Sequence, residues 1–139
     1  MDRADARQRF ASARVARLGT ADRDGIPHLV PVTFAVDADV IVFAIDHKPK
    51  STMNLRRLRN IVENDQVCLL TDHYDDDWSQ LWWARADGRA AITNDPDIRA
   101  RALTQLSARY GQYRDRPPEG PVVSVTVESW SGWSYNPQH

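Results

Sequence analysis

Cysteine is nearly absent from this chain. Cys68 stands alone, so no intrachain disulfide can form. Its setting, Val67-Cys68-Leu69-Leu70, reads as a buried structural thiol in a reducing compartment. Lysine is almost as scarce: Lys48 and Lys50 are the only two, against sixteen arginines. No apolar run approaches the roughly 20 residues of a membrane-spanning helix, and the charged start Met1-Asp2-Arg3-Ala4-Asp5 does not open a signal peptide. The expectation is a cytoplasmic protein with no membrane partner. Excess charge of either sign is missing as well. The net charge is −1, which argues against nucleic-acid binding through bulk charge. There is no glycine-rich phosphate loop, no Gly-x-Ser-x-Gly elbow and no His-Glu-x-x-His. The four histidines and one cysteine show no zinc spacing.

What remains is a chain of 139 residues, enough for a single domain over 1–139 that buries a core without staples. It is rich in tryptophan: Trp78, Trp82, Trp83, Trp130 and Trp133. Residues 2–14 carry a helical pattern. Val15–Ala21 reads as a strand, Asp22-Arg23-Asp24-Gly25 as a hairpin turn, and Ile26–Val36 as one long strand. Pro27 and Pro31 put that strand at a sheet edge or turn its donors away from a neighbour. Asp37-Ala38-Asp39 turns the chain into a third strand, Val40–Ile45. A polar loop leads to a helix from Ser51 to about Arg59. Strands follow at Gln66–Thr71 and Trp78–Ile92, and a helix starts at Asn94-Asp95-Pro96. The last strand, Val122–Trp130, is followed by a Trp- and Ser-rich tail. Six strands with helices between them predict an antiparallel, mainly β, α+β barrel. Val40–Ile45 and Gln66–Thr71 lack a clean polar face, so a helix or a second copy must cover them. A homodimer is the expectation.

The densest chemistry lies in His47-Lys48-Pro49-Lys50-Ser51-Thr52-Met53-Asn54. Two lysines and two hydroxyls at a helix N-terminus suit a phosphate or carboxylate; the alternative is a solvated loop before a capped helix. Arg56, Arg57 and Arg59 follow, either as surface charge or as contacts to an extended anion. The Asp72–Asp77 loop lacks a calcium-loop pattern and reads as a solvated turn. Asp46, His47, Asp72 and His73 include acid–base types that nothing in the sequence brings together. Trp82 and Trp83 should point to opposite faces of their strand.

In order along the chain, several segments resemble the flavin/deazaflavin oxidoreductase split-barrel superfamily, the pyridoxamine-phosphate-oxidase-like group. They are Val15–Thr20, the Asp-Gly turn, Pro27–Phe34, Val42–Ile45, Lys50-Ser51-x-x-Asn54-Leu55, Val67–Leu70, Gly88-Arg89-Ala90 and the helix after Asn94-Asp95-Pro96. The Asp76-Asp77-Trp78 loop and the Trp130–Ser134 tail are similar to an actinobacterial subgroup of F420-dependent enzymes. The resemblance implies a split β-barrel homodimer with cofactor sites at the subunit interface and a small-molecule substrate. It implies that Lys48, Lys50, Ser51 and Thr52 hold the cofactor phosphate, with Asn54 assisting. Arg56 or Arg57 would meet an acidic tail, and Pro31, Val32 and Thr33 would line the ring, largely through backbone atoms. Trp78 would lie where the partner approaches the ligand. Pyridoxamine phosphate oxidases carry Arg-x-x-x-Leu-Lys along the second strand; here Val30–Phe34 has no basic residue. Their arginine-containing C-terminal signature is missing too. Coenzyme F420 is therefore the expected cofactor and FMN the alternative, with the cofactor supplying the chemistry and no catalytic dyad from the protein. A non-catalytic flavin, deazaflavin or haem carrier is the remaining alternative.

Overall fold

A computed structural model describes residues 1–45 and 52–135, with the backbone alone for 52–55. The elements run α1 (Arg3–Ser12), β1 (Ala16–Ala21), β2 (Pro27–Val32), β3 (Ala35–Asp37), β4 (Val40–Ala44), α2 (Thr52–Glu63), β5 (Gln66–His73), β6 (Trp82–Thr93), α3 (Pro96–Arg109), α4 (Gly111–Asp115) and β7 (Val122–Ser134). All seven strands form one antiparallel sheet in the order β2-β1-β5-β6-β7-β4-β3. The α+β, mainly β architecture is as expected.

The stretch expected to be one long strand is two. β2 lies at one edge of the sheet and β3 at the other, joined by Thr33 and Phe34 alone. Flat, seven strands would set those edges about 29 Å apart. Two linking residues reach only about 11 Å. The sheet must therefore curl until its edges nearly meet, giving a barrel with a split between β2 and β3. Pro27 and Pro31 sit on the edge strand β2, as strand prolines require.

The split is closed by side chains from elsewhere in the chain. Phe34 is fully buried and packs on Phe10 of α1, ring centroids 4.9 Å apart. It belongs to neither strand, so its peptide groups need other partners. The Tyr110 hydroxyl accepts the Phe34 N–H at 3.2 Å and lies 3.1 Å from the Phe34 carbonyl and 3.0 Å from that of Arg14. The neighbouring Thr33 hydroxyl is 2.7 Å from that of Tyr113 in α4. Arg109 lies over the Phe34 ring and donates to the Ala13 carbonyl. Burial lowers its pKa, yet a guanidinium stays charged under any ordinary condition.

Inside the barrel, Leu18, Val30, Val32, Ile41, Phe43, Val67, Leu69, Val123 and Val125 form the core with Phe10 and Trp130. The outer face of β4 is covered by a helix: Val42 and Ala44 pack on Ala102, Leu106 and Tyr110 of α3 and its C-cap. Asp95 caps α3 by accepting from Asp97 N and Ile98 N, as its sequence predicts. The Asp22–Gly25 turn forms, with Gly25 at φ 80° and the Asp22 carboxylate accepting from Asp24 N and Ile26 N. Two further expectations change. Trp78 is not on a strand but opens a short 3-10 turn, Trp78–Gln80, capped by Asp77. The Trp- and Ser-rich tail continues β7 to Ser134, because it pairs with β6 along its whole length.

Asp39 ties α1 to the barrel. It accepts the Trp130 indole N–H at 2.8 Å and meets Arg3 and Arg7 at 3.4 Å. The indole hydrogen bond, aided by the two arginines, holds its carboxyl below the usual 3.8. A depressed folded-state pKa stabilises the fold above the unfolded value and loses that effect as pH falls through the folded value. Asp39→Asn should therefore flatten the acid limb of the stability curve below about pH 4, with little change in its slope near neutrality; urea midpoints from pH 2.5 to 7 check this. Tyr110→Phe should cost about 1–3 kcal/mol in urea unfolding, because it strands the buried Phe34 N–H. A loss under about 0.5 kcal/mol would show that the split is held otherwise.

Candidate functional site

The polar loop of greatest interest, with Lys48, Lys50 and Ser51, lies outside the described residues, as do Asp46 and His47. Thr52 and Asn54 are in the first turn of α2. The helix runs to Glu63, four residues beyond the expected end. Its phase separates the three arginines. Arg56 and Arg59 are exposed, whereas Arg57 is buried on the same face as Asn60 and Ile61. Burial lowers the Arg57 pKa and leaves it a charged guanidinium set into the protein. Asn60 Nδ2 donates to the buried Thr20 hydroxyl of β1 at 3.1 Å, and Ile61 enters the core. Thr20 is the cross-strand partner of His28, whose Nδ1 is buried without a hydrogen-bond partner among the described residues. The sequence reading missed His28, Thr20 and Asn60. The phase of α2 could have found Asn60, since it lies three residues beyond Arg57.

The ring-lining residues divide by strand alternation. Pro31 is exposed on the outer face, and Val32 points into the core, so only its backbone can meet a ligand. Thr33 sits at the split, half-buried. Pro31 lies on the free edge strand β2, whose only ladder partner among the described residues is β1, and Thr33 leads from it toward β3. Trp78 is 65% exposed.

Outward from Pro31 the sheet exposes two leucines flanking Arg17, the exposed cross-strand partner of both Pro31 and Leu70. Leu29 is 70% exposed and Leu70 37% exposed. Cys68 is exposed, not buried as its apolar neighbours suggested. Along β5, Val67, Leu69 and Thr71 point inward, which leaves Gln66, Cys68 and Leu70 outside. Burial of its surroundings and the Asp87 carboxylate raise the Cys68 pKa, so the thiol form prevails near neutrality. Further along this face a groove of about 420 Å³ opens between Leu70, Tyr74, Leu81, Trp83 and Trp133. Trp82 and Trp83 do face opposite ways. Trp82 packs against the core between Arg9 and His73, and Trp83 lines the groove. Among the described residues, no three His, Cys, Asp or Glu side chains cluster as a metal site requires, and no helix is long and apolar enough to cross a membrane.

A split barrel whose edge strands β2 and β3 are joined by Thr33 and Phe34 alone defines a class. The pyridoxamine 5'-phosphate oxidase family model matches residues 3–134, and the chain belongs to that family. No curated protein matches the sequence. Solved structures share the fold. An FAD-binding protein from Mesorhizobium loti superposes with TM-score 0.72 at 18% identity, covering 95% of this chain and 94% of its own. A conserved hypothetical protein from Mycobacterium tuberculosis gives TM-score 0.72 at 23% identity, covering 96% and 85%. The haem storage protein HutZ from Vibrio cholerae gives 0.71 at 17%, covering 96% and 95%.

Asn60→Ala should separate α2 from β1. The expected loss is about 1–3 kcal/mol in urea unfolding, with the Thr20 hydroxyl left unpaired.

Proposed function

We propose that the protein is a homodimeric oxidoreductase that uses coenzyme F420 to transfer a hydride to or from a small conjugated substrate. The observation that carries this reading is the chemistry of β2. Pyridoxamine phosphate oxidases place basic residues along this strand. Here Val30 and Val32 point into the core and Pro31 outward, so the strand offers a ring system backbone groups and apolar surface. Cationic contacts come instead from the start of α2. Lys48, Lys50, Ser51 and Thr52 would hold a phosphate, with Asn54 beside them. Arg56, exposed, would reach an acidic tail, and Arg57, buried, would add positive potential from beneath. The cofactor supplies the hydride chemistry; the chain binds it, orients it and keeps water from one face.

The exposed apolar surface around Leu29, Cys68 and Leu70 supports the homodimer, because α3 covers only the β4 side of the barrel. A cofactor at that interface would be met by Trp78 of the second copy. The second reading is a flavoprotein holding FMN. It is favoured by the shared fold of FAD-binding proteins from Mesorhizobium loti and from Mycobacterium smegmatis, the latter with TM-score 0.68 at 17% identity. A haem or flavin carrier without turnover is the third, favoured by the likeness to HutZ.

Titration with F420 and with FMN, followed by tryptophan quenching, decides between these. F420 should bind at micromolar or lower concentration and FMN much more weakly. Lys50→Ala should cost about 1.5–3 kcal/mol of F420 affinity. The reverse preference would make the protein a flavoprotein, and tight binding without turnover on enones and quinones would make it a carrier. Sedimentation should show a dimer. Its dissociation on dilution should expose Cys68 to thiol reagents.

A further inference from the structure

We propose that Arg17 selects the ring this protein binds: its guanidinium meets a negatively charged conjugated ring laid against Pro31. The inference deepens the cofactor reading and rests on it. Strand alternation and register place the residue. Ala16, Leu18 and Thr20 of β1 are buried, which turns Arg17 to the outer face. There it is the cross-strand partner of Pro31 on β2 and of Leu70 on β5, with Leu29 its diagonal neighbour across β2. All four side chains are exposed. The ring and the second copy of the chain would both meet this surface.

Charge balance sets the sign of the ring. The Arg17 side chain makes no hydrogen bond, ion pair or ring contact among the described residues. Arg85 and Arg89 of β6 share the outer face, but both are already compensated. Arg85 pairs with Asp87 at 2.9 Å, and Arg89 with Asp65 at 2.8 Å and Glu128 at 3.7 Å. Asp72 stands two residues beyond Leu70 on β5, diagonal to Arg17, and forms no ion pair with it. Cys68, nearer still, is a neutral thiol. An unpaired guanidinium is stable in water. Between leucines and under a second copy it needs a counter-charge, because a buried charge without a partner is costly. A ring at Pro31 is the group placed to supply one. Coenzyme F420 meets that need: its ring hydroxyl is acidic, and loss of the proton spreads negative charge over the conjugated system. The oxidised flavin ring is neutral. Arginine suits the task, since a planar guanidinium both stacks on rings and donates hydrogen bonds. With no basic residue along Val30–Phe34, the cation beside the ring comes from β1 instead.

Two ligands without phosphate or acidic tail isolate the ring: the ring-and-ribityl core of F420, and riboflavin. Tryptophan quenching on the intact protein should show the F420 core binding about tenfold tighter than riboflavin. Arg17→Gln should weaken the core about tenfold and leave riboflavin unchanged, and Arg17→Lys should restore part of the loss. Arg101→Gln, on the α3 side of the barrel, should change neither. No loss in Arg17→Gln would overturn the inference. So would an equal loss of both ligands, which is what a merely structural role predicts. Sedimentation of the ligand-free protein is the second check. Arg17→Gln should leave the dimer as it is or favour it, since an uncompensated charge leaves the seam. A dimer weakened about tenfold would overturn the inference, because the guanidinium would then pair with a carboxylate of the second copy. Lys50→Ala should spare the core, which has no phosphate. F420 binding that Lys50→Ala weakens and Arg17→Gln leaves alone would strike this inference and keep the cofactor reading. A parent protein that prefers FMN to F420 would strike the cofactor reading. Resorufin, a planar three-ring anion, then decides the role of Arg17: a loss of about tenfold in Arg17→Gln supports it, and no loss overturns it.

Discussion

One hydroxyl stands where the barrel would otherwise come apart. Between β2 and β3 the chain leaves one edge of the sheet and joins the other, and Phe34 is the residue in transit. Its N–H and carbonyl can enter neither ladder, yet the side chain is fully buried. A buried peptide without partners costs more than most single contacts return. Tyr110 supplies the partners from the C-cap of α3, and the same hydroxyl reaches the Arg14 carbonyl at the end of α1. Three segments remote in sequence are thus fixed by one oxygen atom. Arg14 and Arg109 stack on Tyr110 and exchange contacts with each other's segments, so the closure is also a junction of helices.

That closure positions everything of functional interest. It fixes the open edge of β2 and places Pro31 outward and Val32 inward. It also leaves α3 packed on the β4 side, so the β1–β5–β6 face is bare. The apolar residues on that face and the tryptophan groove are consequences of where the helices are spent. A barrel of this size cannot cover its whole outer surface with four helices, two of them short of eleven residues.

Much of this was legible in the residues themselves. The Asp22–Gly25 turn, the edge position of Pro27 and Pro31 and the Asp95-Pro96 helix start each rest on local backbone chemistry, and each appears as expected. The break at Thr33-Phe34 was not legible. Nothing local marks it, and its partners Tyr110 and Tyr113 lie some eighty residues away. Cys68 misled for a related reason. An apolar neighbourhood on a strand says nothing about which face a residue occupies until the register is known. In the candidate site, Lys48, Lys50 and Ser51 lie outside the described residues. The burial of Arg57, and not Arg56 or Arg59, needed the helix phase relative to the barrel.

The position of β7 has a consequence for how the chain is made. It comes after the other six strands in chain order yet lies inside the sheet, pairing with β4 on one side and β6 on the other. Until it arrives, both of those strands present bare edges, and the barrel cannot form in halves. Gly88 sharpens this dependence, because β7 passes so close that a Cβ there would meet the Thr126 carbonyl. The chain must therefore leave one edge of β4 and of β6 unpaired until β7 is in place, a topology dominated by non-local pairing that risks association through open edges.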